Sequence, residues 1–322
     1  MEHIRISGFA KSIPKRIVTN DELAQQLDTS DDWIYSRTGI HQRHIVTTEN
    51  TSDLAIDVAK QLVEKNQIDV STLDFVIVST MSPDTLTPSV AAKVQGAIGA
   101  NHAFAFDLDA ACSGFVYGLS VANALLSTQY QRGILIGAEV LSKLVDWQDR
   151  SVAVLFGDGA AGILLERTQT PSRIMSESLK AYGAQSDALT AGEFPNQNLL
   201  GTITSGDSFF HMDGRAVYGF ATREVPNVLN DALSKAHLTA DDIDVFILHQ
   251  ANRRIIESIA KRFGQSIEKF PMNMMAYGNT SAASIGIVLT ELFEQRQIHE
   301  GQLIALAGFG GGLTAGAMII KL

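Results

Sequence analysis

The chain has almost no cysteine, a single one in 322 residues. That excludes an internal disulfide framework and leaves one thiol to be explained. Basic residues are also scarce, with 25 Lys and Arg against 35 Asp and Glu and a formal net charge of −10. General nucleic-acid binding is disfavoured, because neutralising phosphates takes a basic surface. An acidic partner would have to meet a local basic patch. No window holds about 18 uninterrupted apolar residues, and the opening MEHIRISGFA lacks a basic stretch followed by a long apolar one. The expectation is a soluble, cytoplasmic protein. No metal-ligand spacing is present, so no metal and no bound cofactor are expected.

What is there in quantity is apolar: 45% of residues against 19% charged, enough for a large buried core. Short β-branched runs such as FVIVST (75–80), GILIGAEV (133–140) and DVFILH (244–249) read as buried strands. Between them, segments such as TSDLAIDVAKQLVEKN (51–66) and RRIIESIAKRFG (253–264) carry apolar residues at helical spacing. Alternation of the two kinds predicts an α/β architecture with mostly parallel sheets.

The two halves echo each other in order. LDFVIVST resembles IDVFILHQ, GILIGAE resembles GQLIALA, and FGDGAAGILL resembles FGGGLTAGAMII. Between the first two matches, each half has a small-residue helical run, one entered at Cys112 and the other holding Asn279. An internal duplication follows, with halves at 1–172 and 173–322 joined near the polar RTQTPSR.

Cys112, in DLDAACSGF, is placed where a strand gives way to a helix. Unpaired N–H groups and the positive end of the helix dipole favour thiolate there, and small neighbours leave room for a substrate. Most lone cysteines are simply small buried hydrophobes. His249 ends a strand in ILHQAN, where α/β sheets gather ligands, though it reads equally as a hydrogen-bonded structural histidine. Asn279 stands before a helix and reads as an N-cap. A pseudo-twofold between the halves would bring all three to one cavity.

DLDAACSGF, LHQANRRI, GNTSAAS and FGGG, with TSDDWIYSRTGIHQRH near the start, resemble the signature segments of the β-ketoacyl-acyl-carrier-protein synthase III family of condensing enzymes. That resemblance implies a thiolase-like fold of duplicated half-domains in α-β-α-β-α layers, and a homodimer. It implies Cys112 as acylated nucleophile, His249 and Asn279 as donors to an enolate, and the N–H groups of Cys112 and Gly311 as the other oxyanion hole. CoA thioesters would be substrates and acyl carrier protein a partner. Trp33 and Arg37, four apart and on one helical face, would meet CoA, with Arg150, Gly214 and Asn252 along its tunnel. Thr87, reaching over from the partner subunit, would bound the acyl pocket with Leu141, Phe156 and Met212. A small Thr87 would admit branched or longer primers. Arg253, Arg254, Lys261 and Arg262 form a basic helical side suited to carrier docking, or an ordinary solvated face.

Three other readings share some of these residues. A related acyltransferase, alkylquinolone or polyketide-type enzyme would keep the fold. A papain-like protease uses Cys, His and Asn in the same order but carries a local signature that is missing here. A non-enzymatic carrier-binding module has no need of all three residues.

Overall fold

The computed structural model describes residues 3–169, 174–195, 200–201 and 206–322. The first half runs β1 (His3–Ser12), β2 (Arg16–Thr19), α1 (Asn20–Leu23), α2 (Asp31–Thr38), β3 (Gln42–Ile45), α3 (Thr51–Lys65), β4 (Phe75–Ser79) and α4 (Val90–Ala97). It continues through β5 (Phe104–Leu108), α5 (Gly114–Leu126), β6 (Arg132–Glu139), α6 (Arg150–Ala153) and β7 (Gly159–Thr168). The second half has β8 (Ile174–Ala181), β9 (Leu189–Thr190), β10 (His211–Met212), α7 (Gly214–Lys235), β11 (Val245–Leu248) and α8 (Arg253–Phe263). It closes with α9 (Met274–Tyr277), α10 (Ala283–Glu294), β12 (Leu303–Gly310) and β13 (Thr314–Lys321).

Two mixed sheets carry the architecture, not the mostly parallel ones expected, because β7 and β13 turn back antiparallel on β6 and β12 and are followed by a further antiparallel strand. One has the order β1-β7-β6-β4-β5, the other β11-β12-β13-β8. β4 pairs parallel with β6, as β11 does with β12, and the next two steps outward are antiparallel in both sheets. α5 and α10 lie between the sheets, where Phe115, Leu119, Ile285 and Leu289 share one cluster with Ile77 and Leu135 of the first sheet and Ile304 and Leu306 of the second. Their sequences, GFVYGLSVANALL and ASIGIVLTELFE, are apolar nearly all round because both faces are covered. α3 and α4 cover the outer face of one sheet, and α7 and α8 that of the other. The result is five layers, α-β-α-β-α. FVIVS in β4 is buried at every position, as a parallel strand covered on both faces must be.

From the end of α3 to the turn before α5 the duplication is visible residue by residue, at an offset of 170. α3 ends at Lys65 and α7 at Lys235, single 3₁₀ turns follow at Val70–Thr72 and Ala240–Asp242, and β4 and β11 begin at Phe75 and Val245. Asp74 and Asp244 each accept from the backbone of the neighbouring strand, at Arg132 N (3.0 Å) and Leu303 N (2.8 Å). Among the described residues five non-glycines have positive φ, and four form two such pairs: Gln67 (52°) with His237 (57°), and Ala111 (46°) with Ser281 (46°). This register places Ala282, not Asn279, opposite Cys112, three residues from the alignment read off the sequence. Where the first half has β5, the same offset leads to the one-turn α9, so the second sheet is one strand shorter. The boundary expected at 172–173 lies outside the described residues.

Candidate active site

Cys112 sits on a 3₁₀ turn, Ala111–Ser113, that leads into α5. Ala111 N is held by Asp109 Oδ1 (2.9 Å), and Ser113 Oγ meets Thr314 Oγ1 (2.9 Å) from the opposite half. The end of β12 lies flat against this turn. A Cβ on Gly308 would come within 2.9 Å of Ser113 Cα, and one on Gly310 within 2.8 Å of both Cβ and N of Cys112. Glycine is required at both positions so that two backbones can touch.

His249 follows β11, its backbone N–H donating to Ala307 O (2.8 Å). Its ring packs edge-on to Phe309, and Nδ1 lies 2.7 Å from Ser284 Oγ. Asn279 N donates to Leu155 O (2.9 Å), while its Oδ1 accepts from Ser281 N (2.9 Å). With Oδ1 taken, Nδ2 is the end of the amide left for a ligand.

Cys112, His249 and Asn279 line one cavity of about 210 Å³, together with Ser281, Met81 and Gly310. Farther out the same cavity is walled by Trp33, Arg37, Gly214 and Asn252, and it is floored by Phe156, Phe210 and Met212. Phe156 and Phe210 stack with ring centroids 4.3 Å apart. A cavity of about 240 Å³ elsewhere, beside Arg5, Phe293 and Lys321, holds none of these groups.

Burial governs the electrostatics. It pushes the Cys112 thiol up to about 12, against a smaller lowering by the Ser281 hydroxyl. The helix end expected to favour thiolate is outweighed. Burial alone brings His249 down to about 3, so its ring is neutral. Glu139, fully buried at the end of β6, is raised to about 7 by burial although Ser82, Met81 N–H and Ser281 favour its ionised form.

The remaining expected residues divide. Arg37 Cζ lies 4.4 Å and Arg150 Cζ 4.7 Å from the Trp33 ring, so the indole carries two guanidiniums at the cavity mouth. Asn252 caps α8 and donates Nδ2 to Arg37 O (2.9 Å), which joins α8 to α2. Leu141 is wholly buried beneath Phe156 and Phe210 and does not reach the cavity. Thr87 is exposed and does not line this chain's own cavity. Gly311 lies one step beyond Gly310, against Ala111 rather than Cys112.

Three of the four basic residues on α8 are engaged within the chain. Arg253 Nη1 donates to Tyr35 Oη (3.1 Å), and Arg254 reaches Ser36 O through Nε (3.1 Å) and Nη2 (2.7 Å). Arg262 Nη1 donates to Thr222 O (3.1 Å), and Lys261 is exposed. Sequence reading missed Ser281, Ser284, Phe210 and Glu139. Both serines stand in GNTSAAS, but nothing in that string marks which of its small residues face the cavity. Among the described residues no cluster of three His, Cys, Asp or Glu is arranged to hold a metal ion, and no helix is long and apolar enough to cross a membrane.

Residues 106–183 match the family described as 3-oxoacyl-[acyl-carrier-protein (ACP)] synthase III, and residues 233–322 its C-terminal family. A β-ketoacyl-[acyl-carrier-protein] synthase III of Lactobacillus helveticus is 53% identical over 323 residues, covering 99% of both chains. One from Streptococcus suis is 52% identical over the same length and coverage. The crystal structure of 3-oxoacyl-[acyl-carrier-protein] synthase III from Aquifex aeolicus superposes with a TM-score of 0.93 at 36% identity, covering 99% of this chain and 100% of that one. Sequence, layer order and site composition converge: the chain belongs to the β-ketoacyl-acyl-carrier-protein synthase III family and has its thiolase-like fold.

Proposed function

We propose that the chain initiates fatty acid synthesis by condensing an acyl-CoA primer with malonyl-acyl-carrier-protein, releasing CoA and carbon dioxide. The observation that carries this reading is the convergence of Cys112, His249 and Asn279 on one apolar-floored cavity that opens past Trp33. Cys112 Sγ attacks the thioester carbonyl of the primer; the C–S bond to CoA breaks, and CoA leaves as its thiol with the cysteine proton. Because burial holds the resting group as a thiol, that proton leaves as the attack proceeds. The N–H groups of Cys112 and Gly311 receive the carbonyl oxygen as it becomes an oxyanion. Malonyl then loses carbon dioxide, and the electron pair of the broken C–C bond becomes an enolate. His249 and Asn279 donate to the enolate oxygen. Its carbon attacks the acyl-cysteine carbonyl, and collapse of the adduct expels the Cys112 thiolate, which is reprotonated.

The CoA nucleotide rests at Trp33, Arg37 and Arg150, and the pantetheine arm runs past Gly214 and Asn252. Phe156, Phe210 and Met212 enclose the acyl group. Lys261, exposed in the last turn of α8, is the cation of that helix's basic stripe left to meet an acidic carrier. The protein works as a cytoplasmic homodimer, in which Thr87 closes the acyl pocket of the partner subunit.

Intact-protein mass spectrometry tests this directly. Incubation with acetyl-, isobutyryl- and octanoyl-CoA is expected to add one acyl mass, absent in Cys112→Ala. Malonyl-carrier is expected to remove it with formation of 3-oxoacyl-carrier. A stable adduct that malonyl-carrier cannot discharge would point to an acyltransferase with another acceptor, and no adduct at all would refute the reading.

A further inference from the structure

We propose that Ser284 is a positioning residue that fixes the tautomer of His249, so that the ring presents Nε2–H to the cavity and has no free nitrogen for the thiol proton of Cys112. This rests on the roles just given to those two residues.

The argument is a count of hydrogens. Ser284 lies in the first turn of α10 and is 1% exposed; His249 is also 1% exposed and Gln250 fully buried. A serine hydroxyl has one proton to give and two lone pairs. Two nitrogens approach Ser284 Oγ, Gln250 N at 3.4 Å and His249 Nδ1 at 2.7 Å, and among the described residues it has no other partner. The Gln250 amide can only donate. If Nδ1 also carried a proton, Oγ would accept twice and its own proton would be stranded in the interior, where an unmade bond is costly. If Nδ1 is bare, the hydroxyl donates to it and every group is satisfied. Burial keeps the ring neutral, so the tautomer is its one remaining protonation choice.

A neutral imidazole bare at Nδ1 carries its proton on Nε2. That nitrogen then resembles Asn279 Nδ2, which Ser281 N frees by occupying Oδ1. Two residues of the turn into α10, Ser281 and Ser284, thus aim both donors at the same developing charge. Neither donor accepts a proton, so acylation of Cys112 proceeds without His249 as base, and Ser284 matters to the decarboxylating half-reaction alone.

The test uses the full-length protein in wild-type, Ser284→Ala and Ser284→Thr forms. In ¹⁵N-histidine spectra, with His249 assigned by its loss in His249→Asn, the wild type is expected to show protonated Nε2 and bare Nδ1. The Ala variant is expected to show a mixture, and Thr to restore the single form. Acylation of Cys112 by acyl-CoA should stay within about twofold in the Ala variant, while condensation falls roughly ten- to a hundredfold, since the donor is misoriented part of the time rather than removed. A wild-type Nδ1–H tautomer would overturn the proposal, as would an Ala variant that condenses at the normal rate or loses acylation equally. The spectra decide the tautomer even if Cys112 proves never to be acylated, which would sink the functional reading instead.

Discussion

At the scale of single residues, the site depends on backbone contact as much as on side chains. Gly310 stands where any Cβ would strike both Cβ and N of Cys112 at 2.8 Å, whereas a Cβ on Gly311 would meet Ala111 Cβ at an ordinary 3.4 Å. Gly310→Ala must therefore displace the nucleophile, and a shift near 1 Å can cost about a hundredfold in rate. The expected outcome is a roughly hundredfold slower acylation of Cys112 by mass spectrometry, with Tm lowered by the overpacking. Gly311→Ala keeps its N–H and should acylate at close to the normal rate. Equal rates for the two variants would remove the distinction. Cys112, His249 and Asn279 could be singled out in the sequence because each stands at a strand or helix end inside a segment that resembles the family's signatures. Gly310 was visible only as one letter of FGGG, and Ser284 only as one small residue among several. What separates them is which neighbour each touches across the molecule, a property of packing between halves that no local pattern encodes.

At the scale of elements, the charged stripe of α8 shows how a sequence pattern can be right about the face and silent about its use. α7 contains Pro226, which has no N–H to give to Thr222 O one turn earlier. Arg262 Nη1 supplies that missing donor at 3.1 Å. Arg253 and Arg254 likewise bind α2, the helix that carries Trp33 and Arg37. Helical periodicity told that these residues share a side; it could not tell that the side faces two other helices. Arg262→Ala should lower stability by about 1 kcal/mol, the usual net value of one hydrogen bond. In a Pro226→Ala background the restored amide satisfies Thr222 O, so the same substitution should then cost close to nothing. Denaturant melts of the four proteins give the coupling, and strictly additive costs would show that Arg262 contributes nothing specific to that carbonyl.

At the scale of the whole molecule, the duplication accounts for the cavity and for what the halves do not share. The offset of 170 at β4 and β11 was readable because buried parallel strands leave near-continuous apolar runs, whereas the central helices, apolar nearly all round, were aligned three residues out. The exchange of β5 for α9 was not, because FAFDL and MMAY are both short apolar segments without a period to tell them apart. That exchange has a consequence for assembly. β5 ends its sheet, and its residues are only partly covered, with Phe104 36% exposed and stacked parallel to Phe106 at 6.2 Å. An apolar edge strand of this kind invites another strand, and a second copy can supply the same strand antiparallel about a twofold axis. Asp107 of β5 also accepts from Val90 N (2.8 Å) and Ala91 N (2.7 Å) at the start of α4, so the loop bearing Leu86 and Thr87 leads straight to this edge. Light scattering should give the wild type a mass near twice 34.8 kDa. Phe104→Glu with Phe106→Glu sets like charges across the axis and should give the monomer mass. A double variant that remains dimeric would place the interface elsewhere. The monomer should also acylate faster with octanoyl-CoA relative to acetyl-CoA than the dimer does, because the wall at Thr87 would have left with the partner subunit.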